Sequence, residues 1–345
     1  MKSSLAHGIL FVIILIFSGG QTYGFQSSLL FSDKEPLELE LITSLNELRN
    51  SKSDTVFFST VLKYKNEMGQ WDSLQIELRA RGNTRRKICH FPPIRIKIKK
   101  SNSKNTLFAE DKSLKLVLPC QLANSFNGFI VKEYMCYKFY ESITPYHFQT
   151  RLVNLTLTDV KDRKSKTHNL VAFIIEDDDK VAKRFQYKIS DAKVIRPNYI
   201  NDTSAVRQDF FAFMIGNTDW SNTGQHNVKV MADKNKNHIP LPYDFDMAGF
   251  VGTPYAIPYD YLPIKSVQER LYRGLCRDKD LVEYVRMEYI QLEPEIKETI
   301  DQYEEYLSAS DFKTARNFLH EFFDIIKNDK LFKNQILSKC LPNNY

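Results

Sequence analysis

Two carboxylates flank a single aromatic in the stretch PLPYDFDMAG, residues 240–249. Read as the end of a strand, it sets Asp244 and Asp246 on one face and turns Phe245 the other way, into the core. Two carboxylates on one face repel unless a cation lies between them, so the pattern points to a Mg2+ or Mn2+ site; the alternative is a solvent-exposed strand end. Asp219 lies 25 positions before Asp244 in the loop GNTDWSNTGQHNVKV, followed by Asn222 and by the pair His226 and Asn227. A loop Asp with amide oxygens nearby suits a carboxylate that orients a hydroxyl while an Asn helps to ligate a divalent ion. An Asx-turn network holding a long loop explains the same residues without any chemistry.

These residues need elements to position them. FFSTVLKYK and SLQIELRARG read as a hairpin. IRIKIKK alternates strictly, with Ile94, Ile96 and Ile98 on one face and Arg95, Lys97 and Lys99 on the other, a strand with an apolar back and a cationic front. LKLVL puts Lys115 in a similar setting, and FIVKEYMCYKFYESI is an amphipathic helix carrying Glu133. RLVNLTLTDV and NLVAFIIED follow as strands, with Glu176 near the end of the second. The first half therefore reads as a mainly antiparallel sheet with one helix. After about residue 206 come a helix ending at Gly216, the Asp219 loop, a short strand NVKVM, the strand IPLPYDFD and then helical sequence to the C-terminus. A β-rich segment over 25–200 and a mainly helical one over 201–345 predict an α+β chain of two lobes with a cleft between them.

The chain of 345 residues carries 48 basic and 42 acidic side chains, a mild excess that does not by itself imply nucleic acid. The density is local: RARGNTRRKICHFPPIRIKIKK is strongly basic, either a solvated basic hairpin or a phosphate-facing surface. The first residues, with Lys2, an apolar run from Ile9 to Phe17 and then small and polar residues, have the layout of a signal peptide over 1–24, cleaved near Gly24. The expected location is outside the cytoplasm, periplasmic or secreted, with no membrane span in the mature chain. Five cysteines, an odd number, permit one or two disulfides and leave at least one thiol over; no zinc spacing occurs.

The order RARGNTRR, PPIRIKIKK, LKLVLPC, VKEYMCYKFY, VAFIIEDDDKVAKRF, NTDWSNTGQHNVKV and PYDFDMAG resembles the spore coat protein H kinase-like (CotH) family over about residues 74–252. The resemblance implies an atypical protein-kinase-like two-lobe fold and transfer of the ATP γ-phosphoryl group to a Ser, Thr or other hydroxyl acceptor. Asp219 takes the place of the catalytic-loop Asp, Asn227 or Asn222 that of the metal-binding Asn, and Asp246, with Asp244 second, that of the metal-binding Asp. Arg95, Lys97 or Lys115 would reach the phosphates, Glu133 would pair with one of them, and Glu176 would sit near the hinge. ATP and Mg2+ or Mn2+ are the implied cofactors, and a protein or other hydroxyl-bearing acceptor is the implied partner. A catalytically inert nucleotide- or partner-binding domain and a metal-dependent phosphoesterase are the other two readings.

Overall fold

In the sequence LELELIT, alternate residues are leucine or threonine, a period of two that buries one face. The computed structural model, which describes residues 28–51, 55–82, 84–161 and 164–343, forms this stretch as strand β1 (Leu37–Thr43) with Leu37, Leu39 and Leu41 buried. Six strands follow around the same core: β2 (Phe58–Lys65), β3 (Trp71–Ala80), β4 (Ile94–Lys97), β5 (Ser113–Val117), β6 (Thr150–Lys161) and β7 (Lys164–Ile175). They hydrogen-bond in the order β1, β2, β3, β4, β5, β7, β6, and β1 closes the ring by pairing in parallel with β6, Leu37 opposite Val153 and Leu41 opposite Leu157. The other neighbouring pairs are antiparallel. Leucine and isoleucine side chains such as Leu39, Leu62, Ile76, Ile96, Leu116 and Leu155 fill the interior, each contributing about 1.5–3 kcal/mol by burial.

This overturns the expected kinase-like two-lobe fold, with an antiparallel sheet and one helix in the first lobe: the chain forms a closed, mixed seven-stranded barrel with helices in its C-terminal part. The reason is β1, whose pairing with both β2 and β6 leaves the sheet without a free edge. The short helix α1 (Leu29–Ser32) precedes β1, and α2 (Leu45–Asn50), α3 (Thr84–Ile88) and α4 (Lys100–Ser103) occupy connections between strands. The helix expected inside a first lobe, α5 (Ser125–Ile143), shares a core with the C-terminal half, where Met135 and Phe139 cluster with Phe211, Phe245, Tyr289 and Phe322.

Beyond the barrel, α6 (Asp178–Arg184) is capped by the Asp177 carboxylate and leads to a three-stranded sheet of β8 (Lys188–Ile189), β9 (Val228–Ala232) and β10 (His238–Pro242). Helix α7 (Asp202–Met214), capped by Asn201, precedes the Asp219 loop. Two long amphipathic helices, α8 (Lys279–Gln302) and α9 (Ala309–Lys327), are capped by Asp278 and Ser308 and complete the second core. Disulfides join Cys89 to Cys120 and Cys276 to Cys340, leaving Cys136 as a buried thiol. Among the described residues no helix is long and apolar enough to cross a membrane; the expected signal peptide over 1–24 lies outside them.

Candidate functional site

The β9–β10 hairpin brings the two acidic stretches together. Val228 pairs with Pro242, and the Tyr243 N–H donates to the Asn227 carbonyl at 3.0 Å, so the Asp219 loop and the turn after β10 leave the hairpin at the same end. The strand stops at Pro242, short of the expected IPLPYDFD. Asp244 adopts φ +65, the left-handed region that Asp tolerates better than most residues, and its N–H donates to the Tyr137 hydroxyl at 3.0 Å. Asp244 and Asp246 therefore do not share one face of a strand, although Phe245 does anchor in the core, 1% exposed and tilted against Tyr137. The following turn is held against the end of α7, where Gly249 N–H donates to Gly216 O at 3.0 Å and Phe250 N–H to Ile215 O at 2.9 Å.

Asp219 is tied on every side. Its N–H donates to Asn217 Oδ1 at 2.9 Å, Asn227 Nδ2 donates to its carbonyl at 2.9 Å and to Oδ2 at 3.0 Å, and the Tyr259 hydroxyl donates to Oδ1 at 2.8 Å. His226 Nε2 lies 2.7 Å from the same Oδ1. Asn227, with its amide nitrogen engaged on Asp219, also adopts φ +50. Asn222 lines a separate cavity.

Glu133, Asp246 and Arg85 form a buried acidic cluster around one guanidinium. Arg85 Nη1 donates to Glu133 Oε2 at 3.3 Å, its Nη2 to Leu118 O at 2.6 Å, and its Nε lies 3.9 Å from Asp246 Oδ2. The Tyr255 hydroxyl donates to Asp246 Oδ2 at 3.0 Å and Thr253 Oγ1 to its carbonyl at 2.8 Å. Burial pushes the Glu133 carboxyl up to about 8; Arg85 opposes this, and Asp246 and Asp244 reinforce it. Burial, then the Asp244 charge, pushes Asp246 up to about 6 against the pull of Arg85 and the Tyr255 hydroxyl, and Asp219 is near enough to add to the rise. Burial alone would lower the Arg85 guanidinium, but Tyr255, Glu133, Asp246 and Asp244 hold it above its ordinary value. One guanidinium thus faces more carboxyl groups than it can neutralise, and the deficit is met by protons or by a further cation.

The second half of the site lies on the outer wall of the barrel. Across β3, β4 and β5 the register sets Arg79 opposite Arg95 and Arg95 opposite Lys115, a row of three cations. Like charges directly opposite on a sheet are destabilising. With Arg81 and Lys229 they line a polar pocket of about 230 Å³, which also includes Tyr243, the residue before Asp244. Two acids from the start of α6 offset part of the charge: Arg95 Nη2 contacts Asp177 at 2.5 Å, Lys115 Nζ donates to Asp178 at 3.0 Å, and Lys229 Nζ lies 3.9 Å from Asp178. Lys115 is buried, which lowers its pKa despite the Asp178 carboxylate, and its ammonium lies 4.7 Å from the Phe148 ring centre. Arg81 acts electrostatically on both Lys115 and Glu133, so the pocket and the acidic cluster adjoin.

Of the residues predicted to contact phosphate, Arg95 and Lys115 line this pocket. Lys97, two places further along the same face, is exposed and lies over the Phe57 ring at 4.4 Å. Glu133 pairs with Arg85 and with none of Arg95, Lys97 and Lys115, because Asp177 and Asp178 already hold Arg95 and Lys115. Glu176, fully buried, accepts the Gln149 N–H at 2.5 Å and pairs with Arg184, and burial raises its carboxyl. Reading the sequence places Arg79 and Arg81 in a basic stretch, either solvated or phosphate-facing, without singling them out, although their spacing of two in RARG continues the alternation of β3. It missed Tyr255 and Tyr259, which lie in a long connection where no periodicity marks them.

Among the described residues no group of three or more His, Cys, Asp or Glu is arranged to hold a metal ion alone. Mg2+ commonly takes one or two carboxylates and completes its shell with water and phosphate oxygens. Asp244 suits that pattern: no hydrogen bond from the described residues reaches its carboxylate, whereas Asp246 is engaged by Tyr255 and Arg85. Neither a protein-family model nor a curated protein matches the chain.

Proposed function

We propose that the chain is an ATP- and divalent-metal-dependent phosphotransferase acting on a hydroxyl acceptor. The observation that carries the reading is the junction of a five-cation pocket with an under-neutralised carboxylate cluster, joined through Tyr243 and Asp244. It rests on the site alone, since the barrel removes the fold as an argument. Phosphoryl transfer asks the protein chiefly to position and to stabilise charge. Arg81, Arg95, Lys115 and Lys229 bind and orient the polyphosphate; Asp244 first, with Asp246 behind it, holds the metal side. A divalent ion held there would neutralise charge on the transferring phosphoryl group. Asp219 receives the acceptor hydroxyl in the place of the Tyr259 hydroxyl and takes up its proton, while Asn227 and His226 fix the carboxylate.

The test is a thermal-shift titration with ATP and Mn2+, joined to an assay of ATP turnover to ADP. The wild type is stabilised by mass action. Lys115→Met loses the shift, and Asp219→Asn keeps it while losing turnover. Absence of both shift and turnover in the wild type removes the reading; a shift without turnover turns it into a nucleotide-binding domain.

A further inference from the structure

Against the segment that follows Asp219, sharing no lining residue with the cationic pocket, lies a cavity of about 330 Å³. It is walled by α7, by the segment 220–223, by the connection 273–277 and by Leu341 and Pro342. The last two are held in place by the Cys276–Cys340 disulfide and by backbone bonds between Leu341 and both Gly274 and Cys276. The volume is at the small end for ligand pockets.

Its polar lining is unusual in what it leaves unmet. Trp220 Nε1, Asn222 Oδ1 and Arg277 Nε are buried with no hydrogen-bond partner among the described residues. A buried polar group without a partner costs about 1–3 kcal/mol. Ser221 and Thr223 do not share this, since their hydroxyls bond to each other at 3.2 Å. The charges are also unequal. Arg277 is paired with Asp202, but among the described residues no carboxylate forms an ion pair with Arg273, whose Nη1 donates to the carbonyls of Thr218 and Trp220. Asp209, also in the wall, is pushed by burial well above the usual carboxylate range. Between these groups the wall is apolar, with Pro197, Ile200, Ala205 and Leu275.

Unmet donors outnumber unmet acceptors, one guanidinium lacks a carboxylate ion pair among the described residues, and much of the remaining wall is apolar. We propose that this cavity is a binding site for a small monoanion with an apolar body, a carboxylate on an aromatic or short aliphatic frame. The anionic group sits among Arg273, Arg277 and Trp220, and the body lies against Ile200, Ala205 and Leu275. The site is independent of the phosphotransferase reading.

The probe is benzoate, added to the full chain carrying Trp71→Phe, which leaves Trp220 as the remaining tryptophan of two. Benzoate is expected to give a saturable change in Trp220 emission and a matching rise in Tm. Benzyl alcohol, of the same shape without the charge, is expected to bind about tenfold or more weakly, as loss of a charge-assisted hydrogen bond requires. Formate, the charge without the body, is expected to bind more weakly still. Ala205→Met, which narrows the cavity, is expected to abolish the benzoate response; the Trp220 signal locates the site even where that variant does not fold. No saturable benzoate response in the Trp71→Phe chain overturns the proposal and leaves the cavity to water. Equal binding of benzyl alcohol overturns the charge assignment, and equal binding of formate overturns the apolar one.

Discussion

Replacing Asp246 by Asn should make the metal-free protein more stable above about pH 6, not less. Asp246 is 5% exposed, and its carboxyl rises from the ordinary 3.8 to about 6. A raised acid binds its proton more tightly in the folded state than in the unfolded one. Its contribution is therefore fully present below 3.8, falls as pH climbs from there through about 6, and is flat beyond. The rise corresponds to about 3 kcal/mol lost over that window. Asparagine has nothing to ionise and keeps an acceptor oxygen for the Tyr255 hydroxyl, so the stability difference between variant and wild type should grow with pH by up to about 3 kcal/mol. Urea unfolding with a chelator present, across a pH series, measures this directly. Mn2+ should then stabilise the wild type above about pH 6, with protons released only at lower pH where the carboxyl is still protonated, and stabilise the variant less because Asp244 alone remains on the metal side. A variant that is less stable than wild type at high pH without metal, or a difference that does not change with pH, would refute the account of an under-neutralised cluster.

Two further perturbations test the frame that holds this cluster. At Gly249 an added Cβ would lie 2.2 Å from the Val267 carbonyl oxygen and 3.1 Å from Phe318 Cζ; Gly249→Ala should therefore cost about 2 kcal/mol or more, and a variant with unchanged Tm would show that the turn after Asp246 yields. Removing the disulfide that spans 64 positions, by Cys276→Ser with Cys340→Ser, should cost about 4 kcal/mol through the unfolded state. Chemical denaturation checks it, and a loss near zero would mean that the C-terminal segment is held by packing alone.

Much of the site was legible because it depends on short-range periodicity. Arg95 and Lys115 were readable as the polar face of alternating strands, and register then set them side by side. Asp219, Asn227, Asp244 and Asp246 were readable as neighbours because a short hairpin separates them. What escaped depends on contacts distant in sequence. β1 alternates as clearly as β4, yet nothing local says that it pairs with a strand more than a hundred residues away and so closes a barrel. The partner of Glu133 was misassigned for a similar reason: Arg85 sits on a five-residue helix whose place beside α5 is set by the barrel and by the neighbouring Cys89–Cys120 bridge. Lys97 failed because a shared face is not a shared position, and two residues of strand carry it away from the pocket.

The arrangement of charge is the part that packing does not explain. A barrel wall can hold one exposed Lys per strand at little cost, but Arg79, Arg95 and Lys115 stand in one row, and Lys115 is 5% exposed. Next to them Glu133 and Asp246 are buried at 2% and 5% exposure with a single guanidinium between them. The two sets stay separate, with Asp177 and Asp178 pairing Arg95 and Lys115 from the α6 side and the Tyr255 hydroxyl bonded to Asp246. At the edge where Tyr243 meets Asp244, Arg81, Arg95, Lys115 and Lys229 outnumber Asp177 and Asp178, and the carboxyl groups outnumber the Arg85 guanidinium. A polyphosphate carrying a divalent cation supplies both: anionic oxygens for the row, and a cation for the cluster. An unliganded phosphate would relieve only the first and a free metal ion only the second, so on the proposed reading nucleotide and metal should stabilise the chain more together than the sum of their separate effects.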